Sequence, residues 1–319
     1  MKLTDVQLNY FVSAVLKLPH GKRREYIEQV DYLIRRLEAK IKEDGSFQVA
    51  GFKKTGSLVK GTVLKPRGDY GVDADVAVYL NVAESDRGDI ARLHEIIRKL
   101  ALSVYPQKVA QDFQVQPRTL GIHFRASDLD VDLVPIIPIP NQPGYGWQPS
   151  SEGGEAIKTC VDGQLAFIKK RSDEDPMYRT LVRFVKKWRN EHELDSFRSF
   201  LIELLLANLQ DRYGNAPTLE DGLTRFFLYL AQSNLKELVK FPENGAVNNP
   251  PNDTVVVLDP VNSENNVARR LTDAEREEIV TAAVFAWEKI HTASSKNGKG
   301  DTVELWKIVM GPSFVIEER

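Results

Sequence analysis

From Lys22 to Lys42 apolar residues recur at three- and four-residue steps: Tyr26, Val30, Leu33, Leu37 and Ile41, with charges between them. That period predicts an amphipathic helix, which Asp44-Gly45-Ser46 stops. The pattern then shortens. Phe47 to Phe52, Asp73 to Leu80, Leu120 to Phe124 and Leu129 to Ile137 each suit a strand, the last closed by Pro138. Asp89 to Tyr105 returns to helical spacing and ends before Pro106. A Pro/Gly/Ser-rich stretch, Asn141 to Gly154, marks a lobe border. Beyond it helix dominates. Arg179 to Asn190 carries Leu181, Phe184, Val185 and Trp188 on one face. Arg198 to Tyr213 is apolar almost all round in its middle and is therefore buried, with Gly214 at its end. Phe226 to Leu238 is a further helix, and Thr272-Asp273-Ala274-Glu275 is a capping box for one reaching about Ile290. One β-like run, Thr254 to Leu258, interrupts this half. The fold class expected is α+β: a lobe with a small mixed sheet over residues 1–150, docked on a mainly helical lobe over 151–319, with a cleft between.

Composition narrows the classes. The chain has 319 residues and is 42% hydrophobic, enough for one large or two modest domains. Its formal net charge of −2 shows no basic excess, although a local basic face is still compatible with it. The single Cys160 excludes an intramolecular disulfide and a cysteine-based zinc site. His20, His94, His123, His192 and His291 are scattered, with no pair at metal-ligand spacing. With no apolar signal core and no long apolar run, the expectation is a soluble cytoplasmic protein without a membrane partner.

The chemistry concentrates between Lys54 and Leu80. Asp73 and Asp75 alternate at the head of an apolar strand, so both carboxylates face one way. Like charges at that spacing repel, and a divalent cation between them resolves the conflict. Gly56-Ser57, at the end of the preceding strand, opens a helix whose backbone N–H groups suit a phosphate. A third acidic run, Asp128, Asp130 and Asp132, shares one face of the strand leading to Ile137. If that strand lies beside Asp73 and Asp75, three carboxylates cluster, with Asp132 the third ligand; Asp130 is either a supporting partner or solvated. Two Mg²⁺ ions, or Mn²⁺ in their place, would there activate an attacking hydroxyl and stabilise a leaving pyrophosphate. Asp69, in the connection between the two segments, has no place on the Asp73/Asp75 face and is left out of the site.

Gly-Ser, Asp-x-Asp and a later strand Asp, in that order, resemble the nucleotidyltransferase superfamily that includes polymerase β. Within it, GSLVKGTVL with DADVAVY, DVDLVPII, LVRFVKKW with SFLIELLLANL, and VVVLDPVNSENNVAR resemble the cGAS/DncV-like nucleotidyltransferases of bacterial anti-phage CBASS systems, nearest the CdnC/CdnD clade. The resemblance covers about Val49 to Val315. It implies a polymerase-β-like catalytic lobe with a helical lobe similar to the oligoadenylate synthetase C-terminal domain. It also implies an enzyme that joins ATP, or other NTPs, into a cyclic oligonucleotide messenger, notably cyclic tri-AMP, by 3′-hydroxyl attack on an α-phosphate. Gly56 and Ser57 would grip the donor triphosphate, Asp73, Asp75 and Asp132 the metals. Lys186, two residues before Trp188, and Ser199, before Phe200, would reach the triphosphate from the helical lobe. The clade implies a HORMA-domain activator with an AAA+ remodelling ATPase. Rival readings are a linear nucleotide-adding enzyme of the poly(A) or tRNA type and a catalytically silent nucleotide sensor. The basic run from Lys169 to Arg189 would add weak, salt-sensitive DNA or RNA binding.

Overall fold

The chain opens on α1 (Asp5–Phe11), whose Thr4 cap accepts from the Gln7 N–H, and continues into a π turn over Val12–Leu16. The structure, a computed structural model, describes residues 1–66, 71–149 and 156–317; Asp69 therefore lies outside the described residues. The chain divides into two units, Leu18–Ala166 and a second assembled from Met1–Lys17 with Phe167–Arg319. That division differs from a border at residue 150 in two ways: it falls inside a helix, and the first residues join the helical unit. The reason is aromatic packing. Phe11 is fully buried, with its ring 5.7 Å from Phe184 and 4.8 Å from Phe314.

Leu18–Ala166 begins with α2 (His20–Asp44), which ends where Gly45 takes φ 68° and returns its N–H to Ile41. There follow β1 (Val49–Thr55), the short α3 (Gly56–Lys60), β2 (Val72–Leu80), α4 (Ile90–Val104), β3 (Phe113–Val115), β4 (Leu120–Phe124), β5 (Leu129–Pro138), β6 (Tyr145–Gln148) and β7 (Ile157–Cys160). The sheet order is β1-β2-β5-β4-β3, with β6 hydrogen-bonded to β5 and β7 to β6. Only β2 and β5 run parallel; the other neighbours are antiparallel. The stretch read as a lobe border thus carries sheet on both sides of residues 150–155.

The two faces of this sheet have opposite character. Val72, Ala74, Val76, Val78 and Leu80 of β2 alternate inward with Leu129, Val131 and Leu133 of β5. They pack on Val30, Leu33 and Leu37 of α2 and on Leu93, Ile97 and Leu100 of α4. Each of the valine, leucine and isoleucine side chains contributes roughly 1.5–3 kcal/mol by burial. The other face carries the acidic residues at one end. At its far end Ala77, Val134 and Ile136 are buried against Val161, with Leu165 packed beside them. Val161 and Leu165 belong to α5 (Val161–Glu174). Helix therefore shuts one half of this face and leaves the carboxylate half uncovered by that helix.

The helical unit contains α6 (Tyr178–Glu191), α7 (Ser199–Tyr213), α8 (Leu219–Ser233), a two-stranded β8 (Leu258–Asp259) and β9 (Asn262–Asn266), α9 (Asp273–Ser295) and α10 (Lys299–Met310). Trp188 is fully buried, its ring 4.9 Å from Phe227, in an aromatic core. The helix expected over Phe226 to Leu238 lies earlier: Thr218 caps it by accepting from the Asp221 N–H at 3.1 Å, and Asn234, at φ 51°, ends it. Of the run Thr254 to Leu258, only Leu258 enters β8, and Val257 bridges to Val239.

Candidate active site

Parallel pairing of β2 with β5 sets Asp75 opposite Asp132 and Asp73 opposite Asp130. All four have the parity of the uncovered face, so four carboxylates form a two-by-two block. Asp128 does not join them. It precedes β5 with φ 52°, in a turn, although the period-two reading put it on the same face. Asp130 has its own partner: the His123 Nδ1 lies 2.8 Å from its Oδ1. That removes the alternative of a merely solvated side chain.

Asp132 is the electrostatically loaded member. Burial, then the charges of Asp75 and Asp73, push its carboxyl up to about 7. The Gln116 side-chain amide donates to its Oδ1 at 3.3 Å. Burial is the larger cause and the two neighbouring carboxylates the next, so a cation placed among them would lower it again. Among the described residues, no three His, Cys, Asp or Glu side chains close on a single metal-sized point. The carboxylates share a face without being drawn together. The donors are all oxygen, the set that suits Mg²⁺ or Mn²⁺ rather than zinc. Asp73, Asp75 and Asp132 are the residues that could hold such ions.

Gly56 adjoins this block through the β1–β2 register, which places Thr55 opposite Asp75. Gly56 has φ +74°, and a Cβ on it would come 1.7 Å from Asp75 Oδ2. Glycine is therefore required twice, by the backbone and by the carboxylate pressed against it. Ser57 follows in the first turn of α3. Arg23 of α2 holds the far end of α3 by donating to the carbonyls of Leu58 at 2.9 Å and Val59 at 3.0 Å. The Gly-Ser turn and the Asp-x-Asp strand are thus brought together as expected from their order in sequence.

Lys186 and Ser199 lie in the other unit. Lys186 is buried within α6 and does not lie on a solvated basic face. Ser199 is the first residue of α7, and the Arg189 guanidinium donates to its Oγ at 3.1 Å. Much of the surrounding basic run is paired internally: Lys169 with Asp173, Arg171 with Asp211 and Glu243, Lys187 with Glu191.

Beside the carboxylates, on the β3–β4 side, lies a pocket of about 330 Å³. Asp73, Asp132, His123, Gln114, Gln116 and Gly121 are among its lining residues. His123 was counted in the sequence only as one scattered histidine. Its place on a strand two residues after Gly121 was the available signal, but the antiparallel register that puts it opposite Asp130 is not a local property.

A glycine-led turn against a strand bearing Asp-x-Asp, paired in parallel with a strand bearing a third aspartate, defines a nucleotidyltransferase. No family model matches the chain. Curated relatives do. It is 40% identical over 321 residues to the CBASS oligonucleotide cyclase CdnC of Escherichia coli (strain KTE188), covering 100% of this chain and 99% of the relative. It is 33% identical over 316 residues to the cyclic AMP-AMP-AMP synthase of Escherichia coli (strain MS 115-1), covering 95% of each. Among solved structures, E. coli MS115-1 CdnC with ATP superposes with a TM-score of 0.86 at 30% identity, over 98% of this chain and 99% of that one. The CdnC:HORMA-deltaN complex from the same source gives 0.84 at 29%, over 97% and 98%. The chain belongs to the CdnC family of CBASS oligonucleotide cyclases, and it is an enzyme of the nucleotidyltransferase class.

Proposed function

We propose that this enzyme joins ATP into a cyclic oligoadenylate, cyclic tri-AMP, as a messenger in anti-phage defence. The observation that carries the reading is the Asp75–Asp132 register with Gly56 against Asp75. It sets the carboxylates that would hold two ions, and the turn that would bind phosphate, at one end of one sheet face. Asp73 and Asp75 would hold both ions, and Asp132 the one nearer the acceptor. When bound, Mg²⁺ supplies charge for the triphosphate and acidifies the attacking hydroxyl. The protein's part is to place the 3′-hydroxyl of one nucleotide in line with the α-phosphate of the next. Gly56 lets the donor phosphates approach the backbone, and Ser57 adds a hydroxyl there. The O3′–Pα bond forms as the bond to pyrophosphate breaks, and the hydroxyl proton leaves toward the carboxylate block. A last intramolecular turn closes the ring. Lys186 and Ser199 are carried as further triphosphate contacts on the family motif alone.

The relatives support ATP as substrate, since one is solved with it and another is named for a cyclic tri-AMP product. A HORMA-type partner as activator is supported by the relative solved in complex with one. The AAA+ remodeller and weak nucleic-acid binding rest on the resemblance and on the basic run. No helix among the described residues is long and apolar enough to cross a membrane. The test is incubation with all four NTPs and Mg²⁺, with and without the HORMA partner, followed by mass spectrometry. Phosphatase-resistant rings of AMP units support the reading; chains with free ends return the enzyme to the linear class. Turnover that survives both Asp73→Asn and Asp132→Asn would remove the metal-site assignment.

A further inference from the structure

One row of residues crosses the sheet through the carboxylates. Gln114 of β3 stands opposite Gly121 of β4, Gly121 opposite Asp132 of β5, and Asp132 opposite Asp75 of β2. Opposite residues share a face, so all four positions belong to the pocket side. Gly121 has no side chain to put there, and Asp132 uses the place. A Cβ on Gly121 would come 3.1 Å from Asp132 Oδ1 and 3.4 Å from Gln114 Cβ. The Asp132 carboxyl thus leans over β4, while Asp75 Oδ2 lies against Gly56 on the β1 side. The two aspartates of the row lean toward opposite neighbours.

What meets Asp132 over Gly121 is set by the β3–β4 turn. The Gln116 N–H donates to the Thr119 carbonyl at 3.0 Å and closes that turn. Pro117 locks its own φ and restricts Gln116, the residue before it, to extended backbone. Gln116 lies two residues beyond Gln114, so its side chain rises on the same face. Its Nε2 reaches Asp132 Oδ1 at 3.3 Å. An ionised carboxylate only accepts, so the NH₂ end of the amide is the one that faces it. Thr119, across the turn, opposes the rise of the Asp132 carboxyl, yet its hydroxyl makes no aligned hydrogen bond among the described residues. The directed contact is the one from Gln116.

We propose that Gln116 is a positioning residue: by occupying Asp132 Oδ1 over Gly121, it holds that carboxyl in one rotamer and reserves Oδ2 for a divalent cation. The inference rests on the metal role given to Asp132 under Proposed function. Hydrogen bonds to a ligating carboxylate carry about ten- to a hundredfold of metal affinity. Gln116 touches neither the ion nor the nucleotide in this scheme; it acts through Asp132 alone.

The test uses the full chain and two readouts. Electron paramagnetic resonance follows Mn²⁺ binding without nucleotide. Turnover of ATP, with the HORMA partner present, gives kcat and the Mg²⁺ concentration at half-maximal rate. Gln116→Met keeps the length of the side chain and removes the donor. It is expected to weaken Mn²⁺ binding about tenfold and to raise half-saturating Mg²⁺ by a similar factor, while saturating Mg²⁺ restores most of kcat. In an Asp132→Asn background the same substitution should cost nothing further, since the two residues act as one unit. Three results overturn the proposal: wild-type Mn²⁺ and Mg²⁺ dependence in Gln116→Met, a kcat loss that saturating Mg²⁺ does not restore, or the same tenfold cost in the Asp132→Asn background. Wild-type Mn²⁺ binding and turnover in Asp132→Asn overturn the underlying metal assignment instead. Loss of both in Asp132→Asn, with Gln116→Met unchanged from wild type, overturns this inference alone.

Discussion

Replacing Asp132 by Asn is expected to stabilise the metal-free protein above pH 7. The Asp132 carboxyl is raised from 3.8 to about 7, by burial first and then by Asp75 and Asp73. A folded-state value above the unfolded one means that the native state holds the proton more tightly. Stability is therefore full below pH 4, falls as pH rises through this window, and is lowest once Asp132 ionises near pH 7. Three units at 1.36 kcal/mol each give about 4 kcal/mol, and partial solvent exposure reduces this to about 2 kcal/mol. Asn has the same shape, can still accept from Gln116, and carries no charge. At 2–4 °C per kcal/mol for a unit of this size, its melting temperature should exceed that of wild type by about 4–8 °C at pH 8 in EDTA. At pH 5 only about a third of the gap should remain. Saturating Mg²⁺ should reverse the order, since wild type alone keeps the full ligand set. Circular-dichroism melts across pH 5–8, with EDTA or Mg²⁺, check this. A gap that does not change with pH, or an Asn variant less stable than wild type at pH 8 in EDTA, refutes the reasoning.

Other substitutions probe other parts. Gly56→Ala brings a methyl to 1.7 Å from Asp75 Oδ2 at φ +74°, and the displaced carboxylate should lower kcat on the order of 100-fold in a turnover assay. Arg171 pairs with Asp211 at 2.8 Å and Glu243 at 3.2 Å, with its side chain only 2% exposed. Arg171→Ala removes the partner of Asp211, leaves Glu243 with Lys170 alone, and should cost about 3 kcal/mol in urea unfolding. Trp188→Ala, in the aromatic core with Phe197 and Phe227, should cost about 3–5 kcal/mol by the same measure. Because much of the Lys169–Arg189 run is internally paired, gel shifts with duplex DNA or RNA should show retention only at low salt, lost by about 150 mM.

The carboxylates were legible because period two is local: Asp73, Asp75 and Asp132 announce their faces without any knowledge of neighbours. Gly56 was legible as a turn, but its contact with Asp75 depends on the β1–β2 register. The parallel β2–β5 pairing was invoked as a condition rather than read, since nothing in either strand names its partner. His123 went unread for the same reason. Asp128 shows the opposite failure: the alternation continued through a residue whose backbone had already turned. The 141–154 stretch looked like a lobe border because proline, glycine and serine dominate it, yet Tyr145–Gln148 finds strand partners in β5 and β7. Helix α5 was not among the expected elements, although Val161, Leu165 and Ile168 stand at four- and three-residue steps along it.

The π turn and α1 have a consequence for biosynthesis. Leu8, Phe11 and Leu16 are buried in a unit whose remaining residues begin at Phe167. On a ribosome that adds about 5–20 residues per second, these side chains emerge many seconds before Phe184 or Phe314 exists to receive them. Leu18–Ala166 can fold meanwhile, but the opening segment must stay unengaged until the last helices arrive. The side chains of α1 thus wait for partners made far later in the chain, which ties their burial to synthesis of the helical unit.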